Sequence, residues 1–268
     1  MASQVAVGVD VGGSGIKVAA VDVTTGQLAG PRLRVATPQP SSPDAVVPTI
    51  IRTVRRALRE GGLISGRSTS IPFSVGVGMP SVVIDGVTKT AANIDPSWID
   101  FNLEEHLRAA LKAPVYVLND ADAAGLAEMR FGAGAGERGV VFVLTLGTGL
   151  GSGMFNDGLL VPNTELGHME IRGRDAERRS AAVARTRRGL SWKAWASDLD
   201  EHLHAIDKLF WPNLIILGGG VSKNADKFVP RLTVRPRVVP ATLRNDAGIV
   251  GAAMAAAEKF VEGGRSPG

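Results

Sequence analysis

The stretch VAVGVDVGGSGIKVAAVD, residues 5–22, decides the fold, because it predicts two β-strands joined by a tight glycine-rich turn. The pattern restarts at residues 140–158, where VVFVLTLGTGLGSGMFNDG again predicts strand, glycine turn and strand. Predicted helices lie between and after the two hairpins, at about residues 43–60, 103–111, 121–131, 191–209 and 247–260. This internal repeat of mixed strands and helices predicts an α/β protein of two related lobes.

The lobe boundaries follow from the position of the repeat. We expect a smaller N-terminal lobe at residues 1–118 and a larger lobe at residues 119–246. The small-residue helix at residues 247–260 is expected to pack back on the N-terminal lobe. In that lobe, a third strand is predicted over about residues 28–35.

Composition excludes several classes of protein. The 268 residues are 44% hydrophobic and 21% charged, which suits a packed globular enzyme and not a disordered chain. The absence of cysteine excludes disulfides and thiolate metal sites. Without a basic and apolar leader or a run of about 18 apolar residues, we expect a cytoplasmic protein with no membrane partner. The net charge of +4 fits either ordinary solubility or a polyanionic ligand.

The first glycine turn carries candidate phosphate-binding residues. Glycines let backbone N–H groups point at phosphate oxygens, and a nearby carboxylate can hold hydrated Mg²⁺. The alternative is a plain hairpin turn, which needs fewer glycines. No helix follows the turn, so it is neither a Walker nor a dinucleotide motif. The predicted residues are Asp10, which also holds Mg²⁺ through water, Gly12, Gly13, Ser14, Gly15 and Lys17.

Two further glycine segments extend this prediction. The second hairpin turn offers flexible backbone and one hydroxyl, from Gly147, Thr148, Gly149 and Gly151. After the apolar strand NLIIL come Gly218, Gly219 and Gly220, which allow close approach to a nucleotide base or ribose. Tight packing of helix on strand is the alternative explanation for these three glycines.

Taken in order, these motifs resemble those of the ROK-family sugar kinases (repressor, open reading frame, kinase). The resemblance covers nearly the whole chain: DVGGSGIK, the GMP segment at residues 78–80, Asn93, Asn119-Asp120-Ala121, LGTGLGSG, Glu165-Leu-Gly-His168 and residues 218–220. It implies a two-lobed actin/Hsp70/hexokinase-like (ribonuclease H-like) α/β fold, with a mixed sheet and flanking helices in each lobe. It also implies that Asp120 is the catalytic base and that Asn93, Asn119, Asp120, Glu165 and His168 bind the sugar.

The residue types suit that chemistry. A sugar hydroxyl is a poor nucleophile, and a carboxylate within hydrogen-bond reach accepts its proton as the phosphoryl group transfers. Asp122 is the competing carboxylate, although a place in the first helical turn favours capping or solvation. Each asparagine offers a donor and an acceptor to secondary hydroxyls. A lone histidine is more often structural, but Glu at i−3 and Gly at i−1 favour ligand contact for His168.

The chain departs from the family where most members carry a cysteine-rich zinc motif. Without cysteine, no structural zinc is expected. Residues 172–188 instead hold seven arginines against two acids, as in the polyphosphate-dependent glucokinases and glucomannokinases that this part resembles. Guanidinium groups bind phosphate bidentately, so we expect Arg178, Arg179 and Arg187 to contact polyphosphate. A solvated helix face is the alternative. Glu177 is a further candidate for sugar contact, by analogy with the family.

The sequence therefore predicts a kinase for the 6-hydroxyl of glucose, and as a further expectation of mannose, with Mg²⁺ and with polyphosphate or ATP as the donor. An ATP-only sugar kinase is the alternative. A sugar-sensing regulator fits less well. Repressors of the family carry a DNA-binding helix-turn-helix before the kinase-like body, whereas this chain is expected to begin directly at the first strand. We expect no specific nucleic-acid partner, and a homodimer is a further expectation.

Overall fold

The computed structural model describes residues 4–66, 68–92 and 94–262. The strands are β1 Val5–Gly12, β2 Gly15–Asp22, β3 Gln27–Leu28, β4 Leu33–Val35, β5 Val75–Met79, β6 Val83–Ile84, β7 Val87–Thr88, β8 Phe101–Asn102, β9 Val115–Asn119, β10 Val140–Leu146, β11 Leu150–Asn156, β12 Leu159–Val161, β13 Glu170–Ile171, β14 Arg174–Asp175, β15 Leu214–Gly218 and β16 Arg237–Pro240. The helices are α1 Pro43–Glu60, α2 Leu103–Leu111, α3 Asp120–Phe131, α4 Glu177–Ser180, α5 Ala182–Arg187, α6 Trp192–Phe210 and α7 Ala247–Glu262. In the described ranges, no helix combines the length and the apolar character that a bilayer crossing requires.

The chain forms two compact units. The first unit comprises Met1–Ala127 and Asp246–Gly268, and the second comprises Glu128–Asn245. The chain thus passes between the units at two places, within α3 and just before α7. The lobe boundaries predicted from the sequence, residues 1–118 and 119–246, stay a prediction.

The first unit is built on a sheet with the strand order β3-β2-β1-β5-β9, in which β4 also pairs with β2. The hairpin strands β1 and β2 are antiparallel, whereas β5 and β9 continue the sheet in parallel. The strand predicted over residues 28–35 is divided into β3 and β4. Pro31 lies between the two pieces, and a proline has no N–H to continue the ladder.

The second unit repeats this plan. Its sheet has the order β12-β11-β10-β15-β16, again with an antiparallel hairpin, β10 and β11, followed by parallel strands. The internal repeat predicted from the two glycine hairpins is therefore confirmed. Trp195 and Phe142 are fully buried in the core that lies between this sheet and α6.

Helix α7 packs closely on the sheet of the first unit, and two glycines make this possible. A Cβ atom on Gly8 would lie 1.9 Å from the carbonyl oxygen of Ile249. A Cβ atom on Gly76 would lie 1.7 Å from the carbonyl oxygen of Ala252. Both distances are far below van der Waals contact, so the helix backbone approaches the strands only where side chains are absent.

Candidate functional site

The glycine turn of the first unit is flanked by a cross-strand ion pair. Asp10 and Lys17 are directly opposite in the β1–β2 ladder, and Lys17 Nζ donates to Asp10 Oδ2 at 2.7 Å. Arg34 on β4 adds a second cation, since its guanidinium donates to the Ser14 carbonyl oxygen at 3.0 Å and covers Gly15. A Cβ on Gly13 would meet nothing within 4 Å. The turn therefore combines open space, backbone N–H groups and two cations against the one carboxylate of Asp10, which suits an anion.

Asp10, which pairs with Lys17, is the residue that we predicted to hold Mg²⁺. Among the described residues, no three acidic or histidine side chains cluster as a metal cage. Mg²⁺ usually keeps several waters and binds through one or two carboxylates together with substrate phosphates. The single carboxylate therefore fits a hydrated ion completed by phosphate oxygens. Gly248, at the start of α7, lies close beside it, since a Cβ there would be 2.9 Å from Asp10 Cγ.

Asn119 caps the helix that carries the predicted base. Its Oδ1 accepts hydrogen bonds from the backbone N–H groups of Ala121 and Asp122 at 2.8 and 3.1 Å. Its Nδ2 donates to the Ser81 carbonyl oxygen at 3.2 Å, and the side chain is 5% exposed. The acceptor that we expected to meet a sugar hydroxyl is thus engaged within the protein. Its contact with the sugar stays a prediction, and Asn93 lies outside the described residues.

Asp120 lies where β9 ends and α3 begins. It is the first residue of α3, where the partial positive charge of the helix N-terminus stabilises a carboxylate. Asp120 is half-buried, whereas Asp122, the competing carboxylate, is 1% exposed. A Cβ on Gly78 would approach the Cα of Asp120 at 3.3 Å, so β5 packs directly against this junction. Accessibility therefore favours Asp120 over Asp122 as the group that meets a substrate.

The glycine turn of the second unit is joined to the arginine-rich segment. The Val183 N–H donates to the Gly147 carbonyl oxygen at 3.1 Å, and Glu177 Oε2 accepts from the Leu150 N–H at 2.9 Å. Helices α4 and α5 therefore hold both ends of this turn. Thr148, between them, is exposed, and a Cβ on Gly147 would meet nothing within 4 Å. The turn is open to a ligand and fixed at its base.

The three glycines after β15 differ in what they do. Gly219 has a φ of 80°, and a Cβ there would lie 2.3 Å from the Leu146 carbonyl oxygen, so both its conformation and its packing require glycine. Gly218 would make only ordinary contacts, and Gly220 faces open space. Close packing therefore explains why residue 219 is a glycine. The contacts of all three glycines with a nucleotide stay a prediction.

Acidic groups gather around the Glu165–His168 segment. His168 Nε2 lies 3.8 Å from Glu165 Oε2, and His168 Nδ1 lies 3.6 Å from Asp175 Oδ2. Burial raises the pKa of the Glu165 carboxyl, the charge on Glu177 raises it further, and His168 acts against both. The structure thus brings together three of the predicted sugar-binding residues, Glu165, His168 and Glu177, within the second unit. Asp175 was missed, because only the fold places β14 beside the histidine.

A buried histidine on α6 supports this segment. His202 is 1% exposed; its Nε2 donates to the Leu166 carbonyl oxygen at 3.0 Å, and its Nδ1 lies 2.9 Å from Ser180 Oγ. A carbonyl oxygen can only accept, so Nε2 carries a proton, and in the neutral ring Nδ1 is left as an acceptor. Burial lowers the pKa of His202, against a smaller opposing effect of the Leu166 hydrogen bond.

His202 should make stability depend on pH. Its pKa is lowered from 6.5 in the folded protein, so the unfolded chain binds the proton more readily. The free energy of unfolding should therefore fall as the pH drops below about 6.5. Urea unfolding between pH 7.5 and 5.5 should show this fall in the wild type and a smaller one in His202→Gln. Equal slopes in the two proteins would contradict the prediction.

Six arginines line one pocket of about 370 Å³ in the second unit. This arginine pocket contains the three arginines that we predicted to contact polyphosphate and three more. Its lining is Ile171, Arg172, Arg174, Arg178, Arg179, Arg187 and Arg188. The seventh arginine of the segment, Arg185, instead lies 3.9 Å over the ring of Trp192. Concentrated positive charge of this kind suits a ligand with several negative groups.

Two carboxylates of α6 hold part of the arginine pocket in place. Asp198, only 9% exposed, pairs with Arg179 and with Arg188, the latter at 2.6 Å. Glu201 pairs with Arg179 at 2.9 Å and with Arg172 at 2.7 Å. The paired arginines lie 10 to 29 residues from these acids along the chain, so no local pattern in the sequence could have predicted these ion pairs.

Comparison with known proteins decides the family. The family model described as the ROK family matches residues 6–184. The chain belongs to the ROK family. It is 49% identical to the polyphosphate glucokinase of Mycobacterium tuberculosis over 249 residues, which covers 92% of this chain and 89% of that protein. The predicted ROK resemblance is thereby confirmed.

Solved structures of two sugar kinases share the fold. The inorganic polyphosphate/ATP-glucomannokinase of Arthrobacter sp. strain KM superposes with a TM-score of 0.90 at 48% identity, over 96% of this chain and 99% of that one. A ROK family glucokinase from Streptomyces griseus, solved with glucose and AMPPNP, gives 0.78 at 25% identity, over 95% of this chain and 100% of that one. The predicted actin/Hsp70/hexokinase-like fold is confirmed.

Proposed function

We propose that this ROK-family chain is a sugar kinase that transfers a phosphoryl group to the 6-hydroxyl of glucose, with inorganic polyphosphate and ATP as donors. The observation that carries the proposal is its 49% identity to a polyphosphate glucokinase across 92% of the chain. The likeness to a polyphosphate/ATP-glucomannokinase supports the same donors.

In this proposal Asp120 is the general base. The proton of the sugar hydroxyl passes to the Asp120 carboxylate while the hydroxyl oxygen forms a bond to phosphorus. The bond between that phosphorus and its bridging oxygen breaks at the same time. The products are glucose 6-phosphate and either ADP or a polyphosphate shorter by one phosphate. Bound Mg²⁺, held by Asp10 through water, would neutralise part of the phosphate charge.

An assay across donors and sugars tests the proposal. The protein incubated with glucose and Mg²⁺ should form glucose 6-phosphate with ATP and with long-chain polyphosphate, and EDTA should stop both reactions. Excess Mg²⁺ added after EDTA should restore them, which controls for damage by the chelator. Product with ATP alone would support the ATP-only alternative. Absence of product with either donor, from protein that remains folded, would contradict the function itself.

The finer expectations belong to the same proposal. We propose that mannose is a second acceptor, which the same assay measures as mannose 6-phosphate. We also propose a cytoplasmic homodimer, which sedimentation of the purified protein and fractionation of cells can test. The sugar contacts of Asn93, Asn119, Glu165, His168 and Glu177 are part of the proposal, and so are those of the glycine turns with phosphate.

A further inference from the structure

The arginine pocket contains two kinds of arginine. Those paired with Asp198 and Glu201 are held by carboxylates, as described above. For the other three no carboxylate of the described residues lies within 4.0 Å of the guanidinium group. We call these the open arginines: Arg174, Arg178 and Arg187. All three are exposed, and the Arg187 guanidinium donates one hydrogen bond to the Arg178 carbonyl oxygen, at 3.2 Å.

The balance of charge in the arginine pocket favours an anion with several negative groups. Six guanidinium groups line it, and α6 supplies two carboxylates as their ion-pair partners. The paired arginines therefore form a wall of fixed geometry, while the open arginines keep most of their donors for a ligand. Guanidinium groups match phosphate oxygens bidentately, and like charges this close repel one another unless an anion joins them.

The arginine pocket also belongs to the same local structure as the second glycine turn. Helix α5 carries Arg187 and donates the Val183 N–H to the Gly147 carbonyl oxygen at 3.1 Å. Helix α4 carries Arg178 and accepts the Leu150 N–H through Glu177 at 2.9 Å. The two short helices that hold this turn therefore also carry arginines of the arginine pocket.

We propose that the arginine pocket binds the distal phosphates of inorganic polyphosphate, whose reacting end lies at the glycine turn of residues 147–151. This inference rests on the proposed function. The open arginines contact the phosphates directly, and Asp198 and Glu201 act as positioning residues that keep the paired arginines in place. A long chain occupies both the turn and the pocket, whereas a nucleoside triphosphate has no phosphates to place in the pocket.

Removing the charge of the open arginines tests this. The triple variant Arg174→Gln, Arg178→Gln, Arg187→Gln should raise the KM for long-chain polyphosphate about 10- to 30-fold, since several charge-assisted contacts are lost together. The KM for ATP should stay within about 2-fold of the wild type, because ATP makes none of these contacts. The side chains are exposed, so folding should be kept; circular dichroism and ATP-dependent turnover verify it.

A matched control separates local contacts from net charge. The variant Arg130→Gln, Arg138→Gln, Arg231→Gln removes the same charge from exposed positions elsewhere in the second unit. It should leave the KM for polyphosphate nearly unchanged. Direct titration with long-chain polyphosphate without sugar should show affinity that falls steeply with salt in the wild type and less steeply in the open-arginine variant.

The outcomes separate this inference from the proposed function. A wild type that uses both donors, with an open-arginine variant that keeps its KM for polyphosphate, would overturn the inference alone. An equal rise in the KM for polyphosphate in the two triple variants would also overturn the inference, since the net charge of the protein would then explain the effect. A single-stranded oligonucleotide that competed as well as polyphosphate, at equal phosphate concentration, would point to nucleic acid instead. Absence of turnover with either donor would contradict the proposed function alone. The direct titration, which needs no turnover, would still measure whether the arginine pocket binds polyphosphate.

Discussion

Replacing Asp120 with Asn should lower kcat about 1,000-fold and leave the Kd for glucose within about 3-fold, because the amide cannot accept the hydroxyl proton while its shape still fills the site. The proposed proton transfer needs an accessible carboxylate, and Asp120 is half-buried at the N-terminus of α3. Steady-state kinetics with ATP gives kcat, and calorimetric titration with glucose gives the Kd.

Two variants make this result specific. Asp44→Asn changes an exposed aspartate in the first turn of α1, another helix of the first unit, and should keep wild-type kinetics. Asp122→Asn changes a carboxylate that is 1% exposed and should keep kcat close to the wild-type value, because a group buried this deeply does not meet the substrate. Loss of turnover in Asp122→Asn at unchanged stability, together with an active Asp120→Asn, would transfer the role of base to Asp122.

Replacing Glu128 with Ala should cost about 3–5 kcal/mol in the free energy of unfolding, because the backbone and hydroxyl groups that it satisfies would lose their acceptor. Its carboxylate is fully buried. Oε2 accepts from the Ala133 N–H at 2.9 Å and from the N–H and hydroxyl of Thr242 at 3.1 and 3.2 Å, and Oε1 accepts from the Leu243 N–H at 2.7 Å. Urea unfolding followed by circular dichroism measures the loss.

Two further variants test the cause of this loss. Glu128→Gln keeps one oxygen acceptor and the volume of the side chain, so its stability should lie between those of Glu128→Ala and the wild type. Glu60→Ala removes a glutamate from the end of α1, where it forms an exposed i,i+4 pair with Arg56, and should have little effect. A Glu128→Ala protein with wild-type stability would show that water replaces the carboxylate without cost.

Local sequence signals predicted the two hairpins and the α/β class, whereas the actin/Hsp70/hexokinase-like fold was implied by the resemblance to the family. Each hairpin has a glycine turn between apolar strands, and backbone pairing follows directly from such a pattern. The same signal at residues 5–22 and 140–158 predicted two related sheets, and both have the same succession of strands. The prediction was less successful at residues 28–35, where apolar residues suggested one strand and Pro31 divides it into two.

Side-chain partners in the candidate site could not be predicted in the same way. Asn119 was expected to offer an acceptor to the sugar, yet its Oδ1 accepts two backbone hydrogen bonds of α3. Arg34 reaches the first glycine turn only because β4 pairs with β2, with Arg34 opposite Lys17. Asp198 and Arg179 are far apart along the chain and meet through the packing of α4 on α6.

The amino-acid sequence by itself determined the two glycine hairpins, the α/β class and the types of residue at the candidate site, because turns, periodicity and short motifs act over a few neighbouring residues. Only the tertiary structure decided which charges meet. It placed six arginines around one pocket and paired some of them with carboxylates of α6, and it buried Asp122 while leaving Asp120 accessible. Burial and long-range ion pairs depend on how elements pack, and no local pattern encodes that packing.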